Sequence, residues 1–102
     1  MPIKNSKIHK SASIINKELV NIYGCEIYEN TKIGPFVEIQ KDVIIGKNCK
    51  IGCAIIDKGC EIPDGMEIGV DIAKDRDRFY VSPGGVVLVT PDMLGQNIHY
   101  VR

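Results

Sequence analysis

Few side chains in this 102-residue chain could do chemistry: four cysteines, two histidines and one charged run that holds two arginines. The pair Cys49-x-x-x-Cys53 is not a usual zinc spacing, and no histidine stands near it. Free cysteine is a good small buried hydrophobe, which suits Cys25, Cys49 and Cys60. Cys53 falls nearer to solvent. A histidine acting as a base needs an orienting partner and a pocket; His9 stands in a polar first hexapeptide and His99 near the chain's end, each without an orienting carboxylate. Gly84-Gly85 sits in a turn before a strand, so it is not the Gly-rich loop of a phosphate cradle. Arg76 and Arg78 alternate with Asp75 and Asp77, the pattern of a solvated loop that neutralises itself. These residues predict no catalytic group, no metal and no cofactor.

The elements that position them follow from a six-residue beat. Ile27, Ile33, Ile39, Ile45 and Ile51 are evenly spaced; after one shortened step come Ile56, Ile62 and Ile68, and backwards, with one extra residue, Val20, Ile14 and Ile8. This is neither a helical period nor strand alternation, but a solenoid repeat, in which each unit buries its aliphatic residue only by stacking on neighbours. Three residues after the ladder stand Asn30, Asp42, Asn48, Gly59 and Gly65, types that accept positive φ and so turn a corner. Four residues after it stand Thr31, Val37, Val43, Cys49, Cys60 and Met66, small or medium residues that line the interior beside the aliphatics. Three hexapeptides make one triangular coil, so the spacing predicts an all-β solenoid of a little over three coils.

We read one domain, with coils over 8–69 and a capping segment over 70–102. Residues 70–79 read as a charged connecting loop, Val81-Ser82-Pro83-Gly84-Gly85 as a turn and Val86–Thr90 as a strand. Thr90-Pro91-Asp92-Met93-Leu94-Gly95 reads as a short helical turn and Ile98–Val101 as a last strand. The segment is expected to fold back over the final coil, because an uncovered coil exposes strand edges. Thirteen basic residues against thirteen acidic ones argue against nucleic acid and membrane surfaces as partners. The chain has neither a long apolar run nor a signal-like start, so the expected compartment is the cytoplasm.

Two stretches carry family resemblances. Asn21-Ile22-Tyr23-Gly24-Cys25-Glu26-Ile27 and Asn30–Gln40, within residues 8–52, resemble the opening coils of hexapeptide-repeat sugar N-acetyltransferases. Ile56–Met66 and Asp75–Thr90, within residues 54–102, resemble the C-terminal end of bacterial glucose-1-phosphate adenylyltransferase (ADP-glucose pyrophosphorylase). The resemblances imply a left-handed parallel β-helix. Their meeting point, near Lys47–Cys53, implies an engineered or recombined hybrid of the two. Each half lacks what its family uses for catalysis: later coenzyme A-binding coils in one case, a nucleotide-binding α/β domain in the other. The combined reading is a non-catalytic scaffold and oligomerisation domain. Two alternatives stand beside it: a short acetyltransferase using acetyl-coenzyme A at a subunit interface, and an allosteric domain that binds a sugar-phosphate effector. For the latter, the resemblance makes Arg76 and Arg78 the candidate phosphate contacts. Tyr23, Tyr28 and Phe36 fall off the inward positions, which makes them candidate contacts of a homo-oligomer, with a trimer favoured.

Overall fold

Each repeat folds as a strand of two to four residues followed by a corner, and the corner residues show why. Asn30, Asp42, Asn48, Gly59 and Gly65 have φ of 59, 66, 59, 79 and 76°, the left-handed conformation expected of them. Phe36 also turns a corner with positive φ, at 61°, as does Cys53 at 40°. These two residue types adopt that conformation at a cost, so the packing around them must hold it.

The computed structural model describes residues 3–96, so the expected strand Ile98–Val101 and His99 lie outside the described residues. Four coils stack in parallel. The first comprises β1 (Ile3–Lys4), β2 (Lys7–Ile8) and β3 (Ser13–Ile14). The second comprises β4 (Val20–Tyr23), β5 (Glu26–Ile27) and β6 (Lys32–Ile33). The third comprises β7 (Val37–Ile39), β8 (Ile44–Ile45) and β9 (Lys50–Ile51), and the fourth β10 (Ala54–Ile56), β11 (Glu61–Ile62) and β12 (Glu67–Ile68). The cap follows: helix α1 (Ile72–Arg78), β13 (Tyr80–Val81), β14 (Val87–Val89) and a 3-10 turn at Asp92–Leu94. Three sheets form the sides of the prism. The first is ordered β1-β4-β7-β10-β14-β13, the second β11-β8-β5-β2 and the third β12-β9-β6-β3.

The interior is a set of columns. Ile3, Ile22, Ile39, Ile56 and Val89 align on the first sheet, Ile8, Ile27, Ile45 and Ile62 on the second, and Ile14, Ile33, Ile51 and Ile68 on the third. From Ile22 to Ile68 these isoleucines are at most 3% exposed, and burying each contributes about 1.5–3 kcal/mol. Thr31, Val37, Val43, Cys49 and Cys60 are buried beside them. Thr31 is the polar member: its hydroxyl donates to the Gly46 carbonyl at 2.6 Å and accepts from the Cys49 N–H at 3.1 Å. It thereby ties the second coil to the third.

Three sequence expectations need correction. The coils begin at Ile3 rather than residue 8, because β1 pairs with β4, which makes about four coils rather than a little over three. Val20 aligns with Val37, and it is Ile22 that continues the Ile39 column. The ladder slips there because Ile15–Leu19 bulge outward, entered through Asn16 in the left-handed conformation at φ 56°. Residues 72–78 are a helix rather than a loop. Asp71 caps it by accepting from the Lys74 N–H at 3.2 Å, the bond that lets so short a helix start. The expected turn is present over Ser82–Gly85, Val81 belonging instead to β13, with Gly85 at φ 86° and its N–H donating to the Ser82 carbonyl at 2.9 Å. It joins β13 and β14 as an antiparallel hairpin whose second strand lies parallel on β10.

Candidate functional site

The strongest concentration of polar chemistry lies where the cap meets the fourth coil. Asp75 is fully buried. One carboxylate oxygen accepts from the Gly69 N–H at 2.8 Å, the other from Arg78 Nη2 at 2.7 Å. The same Nη2 donates to the Glu67 carbonyl at 2.7 Å, and the guanidinium lies 4.7 Å from the centre of the Phe79 ring. Arg78 is therefore a clasp that fastens α1 to the edge of the third sheet. On the second sheet, Gln96 imitates a strand, with Oε1 accepting from the Glu61 N–H at 2.9 Å and Nε2 donating to the Glu61 carbonyl at 2.6 Å. On the first sheet β14 itself covers β10. Three different devices thus cover the three edges of the last coil.

Of the two arginines singled out from sequence, Arg78 has its Nη2 engaged in this clasp, while Arg76 is exposed on α1. Residues two apart on a helix do not face each other, so the structure does not bring the pair together. Instead, Lys74 and Arg78 line one open cleft of roughly 390 Å³ with Pro63, Asp64, Met66 and Glu67. Asp64 and Glu67 offset the two cations. Sequence reading missed Lys74 and the burial of Asp75. The Asp71 cap was the available signal, since it sets the helix that places residues 74 and 78 one turn apart.

Tyr23, Tyr28 and Phe36 are exposed as expected, at 39, 39 and 63%. They do not form one patch: Tyr23 belongs to the first sheet, Tyr28 follows the second-sheet strand β5, and Phe36 occupies a corner. The Tyr28 hydroxyl donates to Glu26 Oε1 at 2.6 Å, a bond that raises its pKa along with the charge of Glu26. Desolvation, followed by the Glu38 carboxylate, raises that of Tyr23. A stripe not singled out from sequence is better ordered. Ile55, Leu88 and Tyr80 stand side by side at the middle, outward positions of the first sheet, on β10, β14 and β13. Ile55 and Leu88 are half-buried and Tyr80 is 53% exposed.

The cysteines are free; Cys25, Cys49 and Cys60 are core residues and Cys53 is half-buried. Burial, aided by the charge of Asp57, pushes the Cys60 thiol up to about 12, and burial also raises Cys25 and Cys49. Such thiols stay protonated and inert at neutral pH. His9 Nδ1 is 2.8 Å from the Ser11 hydroxyl on an open part of the first coil. Among the described residues, no three His, Cys, Asp or Glu side chains gather as a metal site would require.

Compared with known proteins, residues 3–89 match the family described as GlmU-like, C-terminal hexapeptide. Three similar curated proteins are named glucose-1-phosphate adenylyltransferase. That of Nitrosococcus oceani is 53% identical over 76 residues, covering 74% of this chain and 18% of the relative. That of Thiobacillus denitrificans is 65% identical over 61 residues, covering 60% and 14%. That of Pasteurella multocida is 48% identical over 96 residues, covering 91% and 22%. The chain thus spans about a fifth of the length of the relatives it matches. The Pasteurella alignment is long enough to run through Lys47–Cys53, so the comparisons lend no support to a hybrid joined there. Hexapeptide coils of unrelated function share one pattern because the same columns must be filled, which makes coil resemblance a weak sign of a junction.

Proposed function

Because the chain belongs to the GlmU-like C-terminal hexapeptide family, we propose that it is a non-catalytic β-helix scaffold. In this reading it is the counterpart of the C-terminal region of glucose-1-phosphate adenylyltransferases, and it carries contacts between copies. The observation that carries the proposal is the alignment in which 91% of this chain corresponds to only 22% of a relative bearing that activity's name. The interior supports it, since its columns are closed by isoleucines at 0–3% exposure and leave no room for a substrate. The Ile55–Leu88–Tyr80 stripe supports a homo-oligomer contact on the first sheet. The proposal is self-association through this face, with the number of copies left to measurement.

The test is turnover. Purified chain incubated with ATP and glucose-1-phosphate, or with acetyl-coenzyme A and an amino sugar, is expected to give no product above a buffer blank. Product formation abolished by one substitution such as His9→Ala contradicts the scaffold reading. A second reading, a sugar-phosphate effector site, is supported by the shared cleft of Lys74 and Arg78. It predicts saturable binding of a sugar phosphate that Lys74→Ala removes.

A further inference from the structure

Gly46 interrupts a row of rings on the outer face of the second sheet. Parallel pairing puts Ile27, Ile45 and Ile62 in register, so the outward residues that follow them stand one above another on consecutive coils. These are Tyr28, Gly46 and Pro63: two rings, with no side chain between them. Neighbouring strands lie about 4.8 Å apart, so roughly 9.6 Å separates the two ringed positions. A hollow of roughly 300 Å³ opens there, lined also by Ile44, Glu61, Asp64 and Gln96.

The walls of this slot are fixed in place. A side chain at Gly46 would run into Asp64 Oδ1 and the backbone of the fourth coil, so only glycine leaves the floor open. Asp64 is held over that floor by accepting from the Lys47 N–H at 2.8 Å. The Tyr28 hydroxyl is tethered to Glu26 Oε1 at 2.6 Å, which spares a ligand the cost of ordering the ring. The Tyr28 ring borders this hollow on one side and, on the other, a hollow beside Lys7, Ile8 and His9, so it stands between them as a partition. Gln96, pinned to both backbone groups of Glu61 at 2.9 and 2.6 Å, forms part of the rim. The carboxylates of Glu61 and Asp64 are exposed.

We propose that this slot binds one uncharged pyranose ring, stacked between Tyr28 and Pro63 with its hydroxyls on Asp64 and Glu61. A pyranose with equatorial hydroxyls presents C–H groups on both faces and O–H groups around its rim. The electron-rich face of Tyr28 attracts those C–H groups, and the carboxylates accept from the hydroxyls in charge-assisted bonds. A flat aromatic ring at van der Waals contact needs only about 7–8 Å between its neighbours, so the roughly 9.6 Å here suits a puckered ring better. No lysine or arginine lines the slot, and two carboxylates would repel a phosphate. This chemistry sets it apart from the Lys74–Arg78 cleft, although the two hollows share Pro63 and Asp64. The inference does not rest on the scaffold reading, because it concerns binding on the outer face and asks for no turnover.

Titrating the isotope-labelled full chain with methyl α-glucopyranoside, followed by amide chemical shifts, tests it. The amides of Tyr28, Gly46, Asp64 and Gln96 should shift and saturate with a dissociation constant on the order of millimolar, as an open slot with few contacts gives. Tyr28→Ala, at an exposed side chain, should weaken binding about tenfold or more, while Tyr28→Phe, which keeps the ring, should stay within about threefold. Lys74→Ala should leave binding within about twofold, and inorganic phosphate should leave these four amides unmoved. Shifts that never saturate up to about 100 mM glucoside overturn the proposal, as does binding indifferent to Tyr28→Ala. Binding lost with Lys74→Ala moves the ligand into the cation cleft and overturns it too, and adenosine binding more tightly than the glucoside refutes the puckered ring. Where Tyr28→Ala alters the circular dichroism spectrum, Glu61→Gln decides in its place, with a loss of about fivefold expected and no loss overturning the proposal.

Discussion

Replacing Thr31 with valine tests the polar tie inside the prism. Thr31 is fully buried, and valine keeps its shape while exchanging the hydroxyl for a methyl. The change removes the 2.6 Å bond to the Gly46 carbonyl and the 3.1 Å bond from the Cys49 N–H. Cys49 is itself fully buried and Gly46 is buried, so water cannot easily replace either partner. A buried polar group left without a partner costs about 1–3 kcal/mol, so the two together place the loss at roughly 2–6 kcal/mol. That is a large part of the total stability of a domain this size, about 5–15 kcal/mol. Thr31→Ser keeps both bonds and loses one buried methyl, a cost of about 1 kcal/mol. Urea unfolding followed by circular dichroism measures both, with the slope of the transition expected to stay the same. A Thr31→Val midpoint equal to that of the unmodified chain, or a Thr31→Ser loss as large as that of Thr31→Val, refutes the assignment of the bonds.

Gly69→Ala should destabilise the chain by about 3 kcal/mol or more, because the residue has φ of 80° and an added Cβ would overlap the Gly52 carbonyl on the coil below; thermal melting reads this, and a shift of under about 2 °C contradicts it. The thiols predict weakness in alkali. Cys60 keeps its proton to about pH 12 when folded, against an ordinary value of 9.0, so the unfolded chain releases a proton first. Its contribution is then complete below about pH 9 and lost progressively as pH rises toward 12, on the order of 1 kcal/mol per pH unit. Melting temperature followed from pH 8 to 11 should fall, and Cys60→Ala should flatten the fall; an equal slope in both contradicts the cause. At pH 7.5 a maleimide should label Cys53 before Cys25, Cys49 or Cys60, and labelling of all four at one rate would show that the core is open.

Much of this architecture could be read from the chain because burial forces a period. The columns of Ile27, Ile33, Ile45, Ile51, Ile62 and Ile68 admit only aliphatics, and the corners at Asn30, Asp42, Asn48, Gly59 and Gly65 admit only residues at ease with positive φ. What escaped reading was fixed by contact rather than by period. Helix α1 buries one carboxylate and half-buries Ile72, so its seven residues carry no apolar stripe to betray it. The burial of Asp75 depends on Gly69 and Arg78, which only folding brings around it. Gln96 and Glu61 are likewise far apart in sequence. The Ile55–Leu88–Tyr80 stripe joins three strands across the cap and is invisible along the chain. Likeness to two families is weak ground for a hybrid, since a solenoid coil resembles the coils of several families.

The scaffold claim meets its most direct test in the mass of the chain in solution. Light scattering at micromolar concentration should give a whole-number multiple, above one, of 11.3 kDa. Leu88→Glu, which places a charge in the middle of the outward stripe, should return the mass to that of one chain while leaving the circular dichroism spectrum unchanged. An unmodified chain that scatters as a single copy at 11.3 kDa, or an assembly untouched by Leu88→Glu, would contradict the claim that this face joins copies together.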